Sequence, residues 1–157
     1  MNTVNTGRRQ ALKTGGGFTV VAAAISAGVL PASAFADWNK AAFDAKSLND
    51  VVKAMGGAGV EKSGDIAITA PDIAENGAVV PIAVASKIAG TQSIAILVEK
   101  NPYALSAQFD IPAGTEANVG TRVKMGQSSN VYAVVKANGK YFVATKEVKV
   151  TLGGCGG

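Results

Sequence analysis

The stretch that decides the fold is Ser129-Asn-Val-Tyr-Ala-Val-Val-Lys-Ala-Asn138-Gly139-Lys-Tyr-Phe-Val-Ala-Thr-Lys-Glu-Val-Lys-Val150. Two runs rich in β-branched and aromatic residues, Val131–Lys136 and Tyr141–Val150, flank Asn138-Gly139. A type I′ turn needs positive φ at both central positions, and Asn-Gly supplies them at least steric cost, so the stretch reads as a β-hairpin. In its second arm Val148, Val150 and Leu152 alternate with Glu147, Lys149 and Thr151, the period-two pattern of a half-buried strand.

The same period extends upstream. Leu105, Ala107, Phe109 and Ile111 alternate with Ser106, Gln108 and Asp110. Val119, Thr121, Val123 and Met125 alternate with Gly120, Arg122 and Lys124. Ile94 to Val98 is a continuous apolar run, as expected of a central strand with both faces covered. About seven strands are expected, with turn signals every 8–12 residues or so, the pattern of an immunoglobulin-like antiparallel β-sandwich. Nothing helical separates the strands, which argues against a parallel α/β sheet. The strands are preceded by a short helical segment, Trp38–Met55, with Phe43, Val51, Val52 and Met55 as its larger apolar residues. Ser47 with Asp50 three residues on marks a fresh helix start, and Gly56-Gly57-Ala58-Gly59 marks the stop.

The chain has 157 residues, 15 Lys+Arg, 11 Asp+Glu, one Cys and no His. Without His there is no Ser-His-Asp or Cys-His catalytic set within the chain, and no His-ligated zinc or haem. A single Cys excludes an internal disulfide, a CxxC redox pair and a Cys₄ metal site. The formal net charge of +4 is unevenly spread. Residues 1–36 hold Arg8, Arg9 and Lys13 and no acid, and the remainder carries 12 basic and 11 acidic residues. The body is nearly neutral and has no basic surface of the kind nucleic acid requires.

Residues 1–36 read as an export signal. A polar, positive start is followed by an uncharged run from Thr14 to Ala36 containing Phe18–Ile25, then Pro31 and Ala34-Phe35-Ala36. Cleavage before Asp37 leaves 121 residues. Arg8-Arg9-Gln-Ala-Leu-Lys13 resembles a twin-arginine motif, with Ala11 where an aromatic is usual. The expected location is the periplasm, reached by the twin-arginine route, with no membrane attachment after cleavage. The expected organisation is thus 1–36 signal peptide, 37–152 helical lead and sandwich, and 153–157 a terminal arm.

Three other groups of residues carry little. Gly56–Ser63, GGAGVEKS, has Glu61 where a phosphate-binding loop needs Gly before Lys-Ser, and reads as a linker. Asp65, Asp72, Glu75, Asp110 and Glu116 lack calcium-loop spacing and read as a solvated face. Tyr132, Tyr141 and Phe142 flank the hairpin and read as core or interface.

The C-terminus differs from the rest. Gly153-Gly154-Cys155-Gly156-Gly157 places the only cysteine among four glycines, directly after a strand ending Val150-Thr151-Leu152. Glycine costs the most entropy to order and adds the least bulk, so the segment is expected to be thin and mobile. A resident catalytic thiol needs a rigid pocket and a neighbouring base or cation, and Lys149 is six residues away. The arrangement suits a carried group: Cys155 as attachment point, Gly153 and Gly154 as hinge and spacer, and Gly156 and Gly157 as an unencumbered far side. An unpaired exposed thiol in an oxidising compartment is a liability, which argues against an incidental cysteine. Two readings of other classes remain open at this point. One is a secreted structural sandwich using Cys155 for an interchain disulfide. The other is a thiol enzyme such as a peroxidase, which the missing His and resolving Cys disfavour.

The leader, the small β-rich body and the terminal GGCGG together resemble the SoxY family, carrier subunits of the periplasmic sulfur-oxidising (Sox) system. The resemblance implies an immunoglobulin-like sandwich that pairs with SoxZ and binds no metal or haem. It implies that the residue at Cys155 holds sulfur substrate covalently. The c-type haem enzyme SoxAX would couple thiosulfate to the thiol, and the manganese enzyme SoxB would release sulfate and leave a persulfide. Where present, the molybdenum–haem enzyme SoxCD would oxidise the remaining sulfane sulfur. On this reading the chain is a carrier and not itself an enzyme.

Overall fold

The structure is a computed structural model, and it describes residues 38–151. Arg8, Arg9 and the rest of the expected signal lie outside the described residues, as do Leu152 and Gly153–Gly157. From Asn39 onward the chain forms one unit.

The expected helical lead is two short helices, α1 (Lys40–Asp44) and α2 (Leu48–Ala54). The break falls at Ser47, as its spacing to Asp50 predicts. Ser47 Oγ accepts from the Asp50 amide at 3.2 Å and donates to its carboxylate at 2.6 Å, so α2 starts on its own cap. Asn39 caps α1 by accepting from the Ala42 amide, and its Nδ2 donates to the Ala54 carbonyl at 2.9 Å, tying the two helices together.

Among the described residues nine strands follow: β1 (Glu61–Lys62), β2 (Ile66–Thr69), β3 (Ile73–Ala74), β4 (Val80–Ser86), β5 (Thr91–Val98), β6 (Leu105–Asp110), β7 (Asn118–Val123), β8 (Ser129–Ala137) and β9 (Lys140–Val150). They form a large sheet in the order β1-β9-β8-β5-β6, with β3 also on β9, and a small sheet in the order β2-β4-β7. The long strands pair antiparallel throughout. The two-residue strands β1 and β3 are additions the alternation could not foretell, and both lie parallel to β9.

The Asn138-Gly139 turn forms as predicted, with φ of 51° and 75°, and β8 and β9 pair without slippage from Ala137↔Lys140 to Ser129↔Val148. β5 is the central strand its apolar run implies. Ile94, Ile96 and Val98 enter the core between the two sheets, with Val80, Ile82, Val84, Val131 and Val135. Ala95 and Leu97 point the other way, into a second core that α1 and α2 close with Ala42, Val51 and Val52. The helices thus cover an apolar strip that the small sheet cannot reach. Tyr141 joins this core and its hydroxyl donates to the Met55 carbonyl at 2.5 Å, satisfying the polar end of a buried ring.

One series of alternating residues is split. Leu105 faces the helices, whereas Phe109 and Ile111 face the inter-sheet core. The cause is a bulge: Ile96 pairs Ala107 but Leu97 pairs Leu105, leaving an extra β6 residue and reversing the faces beyond it. The last strand is shorter than its alternation implied, ending at Val150.

Candidate functional site

The connections sort to two ends of the sandwich. The β8–β9 turn, the β4–β5 turn and the β6–β7 loop lie at one end. The other end holds residues 70–79, the β5–β6 loop, residues 124–128 and the C-terminal end of β9. Whatever follows Thr151 departs from this second end.

Here β9 is gripped from both sides. On one side β3 pairs Ile73↔Lys149 and Ala74↔Val150, the Lys149 amide donates to the Asp72 carbonyl at 2.9 Å, and the Thr151 amide to the Ala74 carbonyl at 3.1 Å. On the other, Ser128 Oγ accepts from the Val150 amide at 2.9 Å and donates to the Val150 carbonyl at 3.4 Å. A side chain thereby continues the ladder where β8 has already begun at Ser129. Gly77 closes over the strand, and a Cβ there would collide with the Met125 carbonyl oxygen and Val150 Cγ1. The Met125 amide donates to the Gly77 carbonyl at 2.7 Å. Asn101 bridges the next loop, donating from Nδ2 to the Lys124 carbonyl at 2.7 Å and accepting from the Gly126 amide. Below the clamp, Lys146 Nζ donates to the Ala70 carbonyl at 2.7 Å and pairs with Asp72 at 3.0 Å.

The geometry anchors the chain through Thr151. Cys155 is four residues further, so at about 3.5 Å per residue its thiol can reach some 14 Å from the anchor. Counted from Thr151, the reach is one residue longer than from a strand ending at Leu152. Cys155 and the four glycines themselves are outside the described residues. No sequence signal marks Ser128, Gly77 or Asp72 as anchors, because their contacts with β9 form only once the loops converge.

Concavities lie in the described body. An open one of about 580 Å³ lies on the outer face of the small sheet, between Thr69–Pro71, Pro81–Ala83 and Gly120–Arg122, with Arg122 its only charge. A polar one of about 200 Å³ at the opposite end from the anchor is lined by Asn39, Gln92, Gln108, Asp110, Lys136 and Tyr141, among others. Among the described residues no three Asp, Glu, His or Cys side chains cluster as metal ligands. Burial pushes the Tyr132 hydroxyl above its ordinary range, and its hydrogen bond to Glu99 adds to this. Tyr132 therefore stays a neutral phenol packed beside the helices.

The family model described as "Sulfur oxidation protein SoxY" matches residues 51–155, most of the body together with Cys155. The chain belongs to the SoxY family. Among solved structures it is similar to the sulfur carrier protein SoxY from Chlorobium limicola f thiosulfatophilum, at 38% identity and a TM-score of 0.61, covering 66% of this chain and 94% of that one. The body shares the SoxY immunoglobulin-like β-sandwich, here with two short helices on its large sheet. The human F-spondin reeler domain also aligns, at 9% identity and a TM-score of 0.42, over 59% of this chain and 95% of that domain. No curated protein matches. Membership places the chain among sulfur-oxidation carrier proteins. No helix among the described residues is long and apolar enough to cross a membrane.

Proposed function

We propose that the chain carries sulfur substrate covalently on Cys155, using Gly153–Gly157 as an arm that enters the active sites of other proteins. The observation that carries this reading is the clamp on β9. Hydrogen bonds on both sides hold the chain through Thr151, and the only cysteine follows within four residues among glycines. A firm root followed, after Leu152, by the side-chain-free spacer Gly153-Gly154 lets a partner's channel admit the thiol without admitting the body.

In the first step the Cys155 thiol loses its proton and forms an S–S bond to the outer sulfur of thiosulfate. Two electrons leave to the haem enzyme, the role of SoxAX, and Cys-S-S-sulfonate remains. Water then attacks the sulfonate sulfur in the hydrolase, the role of SoxB. Sulfate departs and a Cys155 persulfide is left. SoxCD, where present, oxidises the sulfane sulfur. The chain supplies no catalytic group to any of these steps and acts in a heterodimer with SoxZ. Export through the Arg8-Arg9 signal to the periplasm would place it beside these enzymes.

Intact-mass spectrometry without reductant, on chain purified from thiosulfate-grown cells and mapped to the tail peptide, tests the reading. The expected result is a Cys155 adduct of thiosulfate or of added sulfur, removed by reductant. A bare thiol, or only a disulfide-linked dimer, during active thiosulfate oxidation would overturn it in favour of a structural module.

A further inference from the structure

Large apolar side chains are scarce on this surface, and their placement is uneven. Among the described residues four are strongly exposed: Trp38, Ile73, Val79 and Tyr103. Trp38 belongs to the N-terminal unit. The other three all lie at the end of the sandwich that β9 leaves. Ile73, 58% exposed, sits opposite Lys149 in the β3–β9 pair, two residues from Thr151. Val79, 49% exposed, follows the turn in which Gly77 abuts Val150. Tyr103, 55% exposed, is in the β5–β6 loop that Asn101 ties to residues 124–126. The hairpin end has no such residue among those described.

Arm length makes this placement consequential. A reactive group that meets Cys155 inside a channel must lie within about 14 Å of Thr151, so the channel mouth must come down onto the surface around the anchor. Of the strongly exposed large apolar side chains, Ile73 and Val79 are the ones linked to that anchor by the contacts given above. Charge offers little basis for docking at this end. Exposed Lys100, Lys124 and Lys149 are matched by exposed Asp72, Glu75 and Glu99.

We propose that Ile73 and Val79 form an apolar collar around the root of the arm that seats against the apolar rim of the channel of each enzyme acting on Cys155, with Tyr103 at its margin. This rests on the carrier reading above. A small apolar centre with mixed charges around it matches the anatomy of transient protein contacts, in which a few apolar side chains carry most of the affinity. Removal of both side chains should weaken docking without touching the chemistry of the thiol.

The test uses the Ile73→Ser/Val79→Ser double variant in the full mature chain, complexed with SoxZ. Enzymatic coupling of thiosulfate to Cys155 is followed by mass. Non-enzymatic loading is measured in parallel with tetrathionate, which transfers a thiosulfate unit to the free thiol and releases thiosulfate. The expected result is a KM for the carrier raised about tenfold with kcat nearly unchanged, little dependence of this effect on salt, and an unaltered tetrathionate rate. Lys87→Ser, on the exposed turn at the opposite end, should leave all three unchanged. Normal enzymatic loading of the double variant at unchanged KM would overturn the collar alone. Failure of the enzyme to load the unsubstituted chain, while tetrathionate still does, would overturn the carrier reading and the collar with it.

Discussion

The two ends of β9 show two ways of finishing a strand. At Lys140 it begins in a two-residue turn whose φ angles of 51° and 75° suit Asn138 and Gly139, and its first nine residues are held by β8 alone among long strands. At Val150 the chain does not turn back. It is gripped instead by β3 on one side and by the Ser128 hydroxyl on the other, with Gly77 laid across it. The first end needs only local backbone chemistry. The second needs three loops to converge, and it ends facing outward with apolar side chains beside it. Closing the sheets does not by itself require the second arrangement, and on the proposed carrier reading it would hold the root of the arm.

The sharpest way to break the comparison is to remove what the clamped end serves. Cys155→Ser should abolish sulfur loading completely and leave the thermal midpoint unchanged, and any substrate mass on that variant would refute the site. Gly77→Val should come next. Its side chain has no room against the Met125 carbonyl and Val150, so about 1–3 kcal/mol of stability should be lost, together with slower transfer from the arm. Denaturant titration and turnover measured together check this, because a purely structural effect would leave transfer by the remaining folded protein untouched.

Gly139→Val probes the opposite end. A β-branched residue at φ of 75° is strained, and about 1–3 kcal/mol should be lost with no change in loading or transfer per folded molecule. Altered transfer in this variant would erase the distinction between the ends. Ser128→Ala removes the hydroxyl that both accepts from and donates to Val150, and should cost about 1 kcal/mol while loosening the root, seen as faster amide exchange at Val150 and Thr151. The smallest effect belongs to neither end. The folded-state pKa of Tyr132 is raised, so the folded chain holds this proton more tightly than the unfolded one. Its contribution is complete below the unfolded value near 10 and is lost as pH rises through the folded value. Tyr132→Phe should flatten the alkaline arm of the stability–pH curve, as followed by denaturant titration across alkaline pH.

Much of this molecule was legible residue by residue. Asn138-Gly139 named its own turn, Ser47 with Asp50 named a helix start, and the apolar run Ile94–Val98 named the central strand, because each rests on chemistry contained within a few residues. The only cysteine and its glycines stood out for the same reason, since their identity and spacing are properties of the chain itself. Other features were out of reach. The bulge that turns Leu105 away from Phe109 arises from how β6 registers against β5, and alternation within one strand is blind to it. The two-residue strands β1 and β3 are too short to carry a period, and they exist only because β9 offers them an edge. What the sequence by itself determined was the long strands, the tight turn, the helix cap and the place of the only cysteine among its glycines. What only the tertiary structure decided was how the chain is held as far as Thr151 and what surrounds that point. Those contacts join residues as far apart as Asp72, Asn101, Ser128 and Val150, and the backbone and side-chain hydrogen bonds they make exist only once the loops converge.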